Sequence, residues 1–146
     1  MDRPILYINA CVRKESRTRK LAEKLLLKLD EPFEEICLEN VAFPVVNEDF
    51  LSKRDRLISQ GEYQDPLFEL ARQFSNAAAI VIAAPFWDLS FPASLKQYLE
   101  QINVTGNHLQ ILGRRHSHRP LQGKKIVLCD YSRRAICPGE LWLWIC

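Results

Sequence analysis

The sequence predicts a single α/β domain built on a doubly wound parallel sheet. Short, uninterrupted apolar segments alternate along the chain with segments whose apolar residues recur at helical spacing. Strands buried on both faces of a parallel sheet have this continuous apolar character. Strand–helix alternation in turn indicates βαβ units. The length of 146 residues is about that of one domain, enough to bury a sizeable core.

Four apolar segments are predicted to be the strands of this sheet. In chain order they are ILYINA (5–10), FEEICLE (33–39), AAIVIAAP (78–85) and KKIVLC (124–129).

Four segments with apolar residues at helical spacing are predicted to be helices. They lie over 21–29, 48–60, 67–74 and 95–102. Asp65-Pro66 precedes the third, as an N-cap followed by proline at the first helical position, and Pro92 precedes the fourth. In doubly wound sheets ligands bind beyond the carboxyl ends of the strands, so the loops after the strands are the place to look for function.

Composition excludes several classes of function. The hydrophobic fraction is 47%, the charged fraction 26% and the net charge +2, which gives no reason to expect nucleic acid or an acidic membrane as partner. No apolar run approaches the roughly 18 residues of a transmembrane helix. The basic cluster at 113–120 is predicted to be a solvated loop, since His116 and His118 lack further ligands at zinc-site spacing.

Cysteine usage and the N-terminal segment predict a cytoplasmic protein. The five cysteines are odd in number and form no CxxC pair, which favours free thiols in a reducing compartment. MDRPILYINAC lacks the apolar run of a signal peptide.

The loop after the first strand, NACVRKESRTRKL, has the features of a phosphate cradle. Ser16 and Thr18 supply hydroxyls, the helix start supplies free backbone N–H groups, and Arg13, Arg17 or Arg19 can add charge. An ordinary N-cap with a solvated basic first turn explains the same residues, and the loop alone does not decide between them.

The same loop contains the C-x5-R-[ST] spacing of cysteine-dependent phosphatases, formed by Cys11, Arg17 and Thr18. Its position resembles that of the low-molecular-weight tyrosine phosphatases. Charged residues at 13–15 stand where a tight anion nest has glycine and asparagine, and no Asp-Pro acid loop follows late in the chain. Cys11 is therefore expected to be a small packing residue.

The loop after the third strand, in IVIAAPFWDLSFPASLKQYLEQI, places Phe86 and Trp87 at a strand's carboxyl end. Exposed aromatic rings with backbone amides around them suit a flat conjugated ring that needs stacking and hydrogen bonds along one edge. Burial of both aromatics in the core is the alternative.

The two loop motifs resemble those of the flavodoxin-like FMN-dependent oxidoreductases. An apolar strand, Ala-Pro, an aromatic pair, Asp or Asn, then Pro-x-x-Leu-Lys and an amphipathic helix is similar to the azoreductase and quinone-reductase branch. ILYINACVRKESRTRKLAEKLL is similar to that branch's opening strand and phosphate loop. The resemblance covers residues 4 to about 128, and it implies a flavodoxin-like fold with strand order 2-1-3-4-5.

The resemblance also implies the FMN-binding residues. Ser16, Arg17 and Thr18 fall on the turn that binds the FMN phosphate. The loop lining the isoalloxazine corresponds to Pro85, Phe86, Trp87, Asp88 and Leu89. Cys11-Val12 stands where relatives often have Ser-Pro, which removes one phosphate-binding hydroxyl.

The implied activity is two-electron reduction of quinones, azo compounds or similar small-molecule acceptors by NADH or NADPH through bound FMN. Because the flavin carries the hydride, no protein acid, base, nucleophile or metal is expected. Relatives build their active sites across a homodimer interface, so a homodimer is implied as well.

The end of the chain departs from this pattern. DYSRRAIC stands where the family has a third flavin loop of glycine and small hydroxyl residues. One permitted back-translation of 128–146, read one base later, gives FATTAGGPFVPANYGFGY, which is similar to that loop and its continuation. We therefore expect a flavodoxin-like domain over 1–128, a missing fifth strand, and an out-of-frame tail over 129–146.

Such a truncation leaves one sheet edge and face without cover, and the apolar run at 141–145 is available to fill it. Two alternatives to an active oxidoreductase stay open. One is a phosphatase-like enzyme that uses Cys11 and Arg17, and the other is a non-catalytic flavodoxin-like fragment.

Overall fold

The computed structural model describes residues 3–104 in full and the backbone of two further strands, 125–129 and 143–145. The strands are β1 (Ile5–Asn9), β2 (Phe33–Cys37), β3 (Ala79–Ala83), β4 (Lys125–Cys129) and β5 (Leu143–Ile145). The helices are α1 (Arg17–Leu29), α2 (Glu48–Gln60), α3 (Glu69–Asn76) and α4 (Ala93–Ile102). Within these described residues, no helix has the length and apolar character needed to cross a membrane.

The described strands form one parallel sheet in the order β2-β1-β3-β4-β5. Asn9 at the end of β1 lies opposite Cys37 on one side and Ala83 on the other. Because all these strands run the same way, the loops that follow β1, β2 and β3 meet at one edge. The predicted order 2-1-3-4-5 is confirmed.

The fifth strand is where the structure differs from expectation. The sequence predicted that this strand is missing, yet Leu143–Ile145 pairs in parallel with Ile126–Leu128 of β4. The outer edge of β4 otherwise presents unpaired N–H and C=O groups, and the tryptophan- and leucine-rich segment there has high β propensity. A short strand thus fills the fifth position from within the tail.

The other predicted elements are confirmed, with shifted ends. The predicted strand over 33–39 stops at Cys37 and continues as a 3₁₀ turn, Leu38–Asn40. The segment after Asp65 begins as a 3₁₀ turn, Pro66–Phe68, in which the Asp65 carboxylate accepts a hydrogen bond from the Leu67 N–H at 2.9 Å. A local side-chain bond of this kind caps the first turn and sets where the chain becomes helical.

The sheet is covered on both faces, which explains the uninterrupted apolar strands. On one face, Leu6, Ile8, Ile80 and Ile82 pack with residues of α4, including Tyr98. On the opposite face the cluster is formed by Ile5, Tyr7, Cys11, Ala22, Leu26, Val81 and Ala83, of which Ala22 and Leu26 come from α1. Alternate residues of β1 and β3 therefore pack on different faces, and the side chains of both faces are apolar except at Asn9.

Candidate functional site

Two loops leave neighbouring strands at the same edge of the sheet and are joined at their bases. The β1–α1 loop spans 10–16 and the β3–α4 loop spans 84–92. The Ala10 N–H donates to the Ala83 carbonyl oxygen at 2.9 Å, and the Cys11 Sγ lies 3.7 Å from that same oxygen. Both loops named by the sequence motifs are thus held side by side.

The β1–α1 loop ends in a capped helix N-terminus. The Ser16 Oγ accepts a hydrogen bond from the Arg19 N–H at 3.2 Å, and the Ser16 N–H donates to the Arg13 carbonyl at 3.1 Å. The first turn of α1 contains no acidic residue. Free N–H groups and the positive end of the helix dipole therefore face this loop without a neutralising carboxylate in that turn, which favours an anion.

The three residues assigned to the phosphate turn differ in exposure. Ser16 is half-buried, Arg17 is exposed, and Thr18 is buried. The structure brings them together in one helical turn, where they combine a hydroxyl at the cap with a charged side chain at the surface.

Glu15 has its own partner in the loop. The Lys20 Nζ donates to the Glu15 Oε2 at 2.5 Å, and this contact holds the pKa of the Glu15 carboxyl below its ordinary value. Both side chains are exposed, so the pair is a weak one that solvent screens. It nonetheless offsets the one carboxylate among residues 11–18.

Cys11 is placed as a packing residue and opposes the phosphatase interpretation. Its side chain is 2% exposed, and burial raises the pKa of the thiol, although Ser16 and Arg19 act in the opposite direction. A nucleophilic cysteine needs a lowered pKa and access to substrate. The cation that reaches Cys11 is Arg19, whose Nη2 donates to the Cys11 carbonyl oxygen.

A buried polar network, which was not predicted from the sequence, lies at the base of this loop. The Asn9 Nδ2 donates to the Glu35 Oε1 at 2.9 Å, and the Asn9 Oδ1 accepts from the Cys11 N–H at 3.0 Å. Asn9 is 3% exposed. A polar residue ending an otherwise apolar strand was the available signal, since a buried amide must find partners.

The β3–α4 loop exposes apolar surface beside the β1–α1 loop. Pro85 is half-buried, whereas Phe86 is 37% and Trp87 is 40% exposed. Leu89 is 88% exposed. Complete burial of the two aromatics in the core, the alternative considered from sequence, is therefore wrong.

A tight turn shapes the tip of this loop. Trp87 and Ser90 exchange two backbone hydrogen bonds, of 2.8 and 2.7 Å. Between them Asp88 and Leu89 have φ values of 46° and 62°. Positive φ at both central residues is what a type I′ hairpin turn requires, and glycine usually supplies it at the second. Asp88 and Leu89 are thus held in a conformation that costs free energy.

The arrangement combines an anion-favouring helix start with an exposed aromatic surface at one sheet edge. That combination suits a ligand with a phosphate at one end and a flat ring at the other. The segment DYSRRAIC, expected where the family has its third loop, lies outside the described residues. The basic cluster at 113–120 lies outside them too.

Comparison of the sequence with known proteins identifies relatives of this chain. An FMN-dependent NADH:quinone oxidoreductase of Clostridium perfringens is 34% identical over 111 residues, covering 70% of this chain and 55% of that protein. A second enzyme of that name, from Clostridium acetobutylicum, is 38% identical over 112 residues, covering 70% and 54%. The chain therefore spans about half the length of these relatives.

Solved structures show the same fold. An azoreductase from Bacillus anthracis superposes with a TM-score of 0.69 at 21% identity, covering 89% of this chain and 68% of that one. An FMN-dependent NADH-azoreductase from Bacillus anthracis in complex with FMN gives 0.63 at 19% identity, with the same coverage of 89% and 68%. A family model described as a flavodoxin-like fold matches residues 3–131. With the observed strand order and this match over most of its length, the chain belongs to the flavodoxin-like fold family.

Proposed function

We propose that this chain is an FMN-dependent NAD(P)H oxidoreductase that reduces quinones, azo compounds or similar small-molecule acceptors. The observation that carries the proposal is the hydrogen bond between Ala10 and Ala83, which joins the base of the loop that leads to the α1 N-terminus to the base of the loop with the exposed aromatic rings. The names of the relatives, FMN-dependent NADH:quinone oxidoreductase and azoreductase, supply the cofactor and the acceptor classes.

The β1–α1 loop would hold the phosphate of FMN. Ser16 caps α1 as a hydrogen-bond acceptor, and its hydroxyl, which also faces the Cys11 thiol, would donate to a phosphate oxygen. Thr18 lies in the same turn, and Arg17 adds charge at the surface. No carboxylate in the first turn of α1 competes with the anion.

The β3–α4 loop would hold the isoalloxazine ring. Phe86 and Trp87 offer aromatic surface that is exposed at the strand end. The turn at Asp88 and Leu89 fixes the backbone N–H groups of the loop, and Pro85 limits motion at its start. A rigid loop of this kind can orient a flat ring and exclude water from one side of it.

Bound FMN supplies two-electron hydride chemistry between NADH or NADPH and the acceptor. The protein's part is then binding, orientation and electrostatics, and we expect no protein acid, base or nucleophile in the hydride transfer. Cys11 in particular is buried with a raised thiol pKa.

A homodimer and a cytoplasmic location are parts of the same proposal. Exposed apolar side chains at the β3–α4 loop, including Trp87 and Leu89, support an acceptor site that a second copy completes. Size-exclusion chromatography with light scattering tests this: we expect twice the mass of the chain, and a monomer would contradict it.

The proposal is tested by titrating FMN into the purified protein and recording absorbance and fluorescence. Ser16→Ala/Thr18→Ala should weaken FMN binding by on the order of 2–5 kcal/mol, because two hydrogen bonds to a charged group are lost. Ser52→Ala on exposed α2 is the matched control and should leave the affinity unchanged. Equal affinity in the double variant and the wild type would remove the phosphate assignment.

Activity is measured separately as NADH or NADPH oxidation with a quinone acceptor. FMN binding followed by acceptor-dependent oxidation supports the oxidoreductase. FMN binding without oxidation favours the non-catalytic fragment, and binding of neither flavin nor nucleotide contradicts the proposal.

A further inference from the structure

Arg19 forms hydrogen bonds to both ends of the β1–α1 loop. Its Nη2 donates to the Cys11 carbonyl oxygen, while its own backbone N–H donates to the Ser16 Oγ. A single residue in the first turn of α1 therefore ties both the start and the end of the loop.

The same loop is held at its base by Asn9. The Asn9 Oδ1 accepts from the Cys11 N–H, and the Asn9 Nδ2 donates to the Glu35 Oε1 on β2. Both peptide groups that flank the Cys11 Cα are thus bound, the preceding one by Asn9 through the Cys11 N–H and the following one by Arg19 through the Cys11 carbonyl. A peptide fixed in this way restricts the backbone of the residues that follow it, up to Ser16.

The charge of Arg19 is not explained by packing alone. In the described part of the chain, the ion pairs are Lys20–Glu15 and Arg54–Asp55, so no carboxylate pairs with Arg19 there. Its Nε is enclosed and has no hydrogen-bond partner among those residues. A cation at a helix N-terminus is opposed by the helix dipole, and partial burial adds to that opposition. A neutral donor to the Cys11 carbonyl would serve the loop at less cost.

We propose that Arg19 is a positioning residue for the phosphate end of the flavin. It pre-orders the loop N–H groups through the Cys11 carbonyl, and its unneutralised charge raises the potential at the helix start. An anion bound at this loop relieves the opposition between the guanidinium and the helix dipole. This inference rests on the proposed function, since it names how the same loop selects a phosphorylated flavin.

The test compares FMN with riboflavin, which lacks the phosphate. Dissociation constants are measured by flavin fluorescence for the wild type, Arg19→Met, Arg19→Gln and Arg19→Lys. Lys24→Met is the matched control, because it removes a charge from an exposed position further along α1. Circular dichroism checks that each variant folds.

We expect Arg19→Met to weaken FMN at least 10-fold while riboflavin changes less than 2-fold. Arg19→Gln keeps a donor for the Cys11 carbonyl without the charge, and Arg19→Lys keeps the charge without the planar fork. The FMN dissociation constants of both variants should therefore lie between those of the wild type and Arg19→Met. Lys24→Met should change either flavin less than 2-fold. Hydrogen exchange of the flavin-free protein should show faster exchange at the amides of 12–16 in Arg19→Met, with unchanged exchange at Ala22 and Leu26.

Three results would overturn the inference. Equal weakening of FMN and riboflavin would mean that Arg19 is merely structural, and no weakening of either would mean that it has no role in binding. A wild type that binds FMN no more tightly than riboflavin would refute the phosphate site itself, so the proposed function fails first in that case. In the first two results the wild type still prefers FMN, and only the role of Arg19 is lost.

Discussion

Trp87 and Ser90 exchange two backbone hydrogen bonds across a turn whose central residues, Asp88 and Leu89, both have positive φ. Neither central residue is glycine, and the Leu89 side chain is 88% exposed. The turn therefore carries backbone strain that burial of Leu89 within this chain does not offset. Strain of this kind is retained where a side chain or a backbone geometry serves binding.

Leu89→Gly should stabilise the fold and weaken flavin binding. Glycine adopts φ of 62° without steric cost, so we expect the free energy of unfolding to rise by about 0.5–1 kcal/mol, net of glycine's greater freedom in the unfolded chain. FMN affinity should fall because the side chain is lost from the loop that we propose holds the isoalloxazine ring. Urea unfolding and flavin titration measure the two effects.

Leu27→Gly provides the matched control for that substitution. Leu27 is 80% exposed, close to the 88% of Leu89, but it lies inside α1. Glycine there should lower stability by about 1 kcal/mol through helix propensity. If both variants lose stability to the same extent, the interpretation of strain at Leu89 is wrong.

Tyr98→Phe should stabilise the core. Tyr98 is fully buried against Phe74, with ring centroids 6.5 Å apart, and its hydroxyl has no hydrogen-bond partner among the described residues. Removing an unpaired buried hydroxyl should raise the free energy of unfolding by about 1 kcal/mol at pH 7. Tyr63→Phe, at a half-buried ring, should change it by less than about 0.5 kcal/mol.

The gain from Tyr98→Phe should grow in alkaline solution. Burial raises the pKa of Tyr98 above its ordinary value of 10.0. The folded protein then keeps this proton at a pH where the unfolded chain releases it, so wild-type stability is complete below pH 10 and falls above it. The variant lacks this loss, which can reach about 1.4 kcal/mol per pH unit for one group. Urea unfolding at pH 8 and pH 11 measures it, and an equal decline in both proteins would contradict the prediction.

Cys11 should react slowly with thiol reagents. Burial raises the pKa of the Cys11 thiol above its ordinary value, which lowers the fraction of reactive thiolate at pH 7. In a variant that keeps Cys11 and replaces the other four cysteines by serine, Ellman's reagent should react fully only after unfolding. A matched variant that keeps only half-buried Cys37 should react faster in the folded state.

Hydrolysis of p-nitrophenyl phosphate tests whether Cys11 acts as the nucleophile of a phosphatase. Wild type and Cys11→Ser should both be inactive. Activity in the wild type that Cys11→Ser abolishes would restore the phosphatase interpretation, and rapid labelling of folded Cys11 would support it.

Restoring the reading frame near codon 128 should lengthen the protein and strengthen flavin binding. We propose that 129–146 is read out of frame, and the shifted reading replaces the arginines at 133 and 134 with glycines. Glycine lets backbone approach a ligand closely, whereas two arginine side chains crowd it. Sequencing the gene and expressing the frame-corrected product tests this by FMN affinity and quinone reduction. Codons that do not permit the shifted reading would rule the proposal out.

The fold class and the two loops of the candidate site were predicted from sequence patterns, and the strand order from the family resemblance. The apolar runs at 5–8 and 78–85 have the continuous apolar character of strands buried on both faces, and Asn9 is the one polar residue in the segment 5–10. The N-cap of α1 at Ser16 also depends on nearby residues alone, since its hydrogen bond joins groups within one turn.

Which polar residues act together became clear from the folded structure alone. Asn9 is bonded to Glu35, 26 positions away, and Cys11 lies against the carbonyl of Ala83, 72 positions away. No local pattern contains such pairs, because they exist only once neighbouring strands are in register. The choice of Arg19 over Arg17 as the partner of Cys11, and the pairing of β5 with the edge of β4, follow from the same cause: geometry sets which group is within reach.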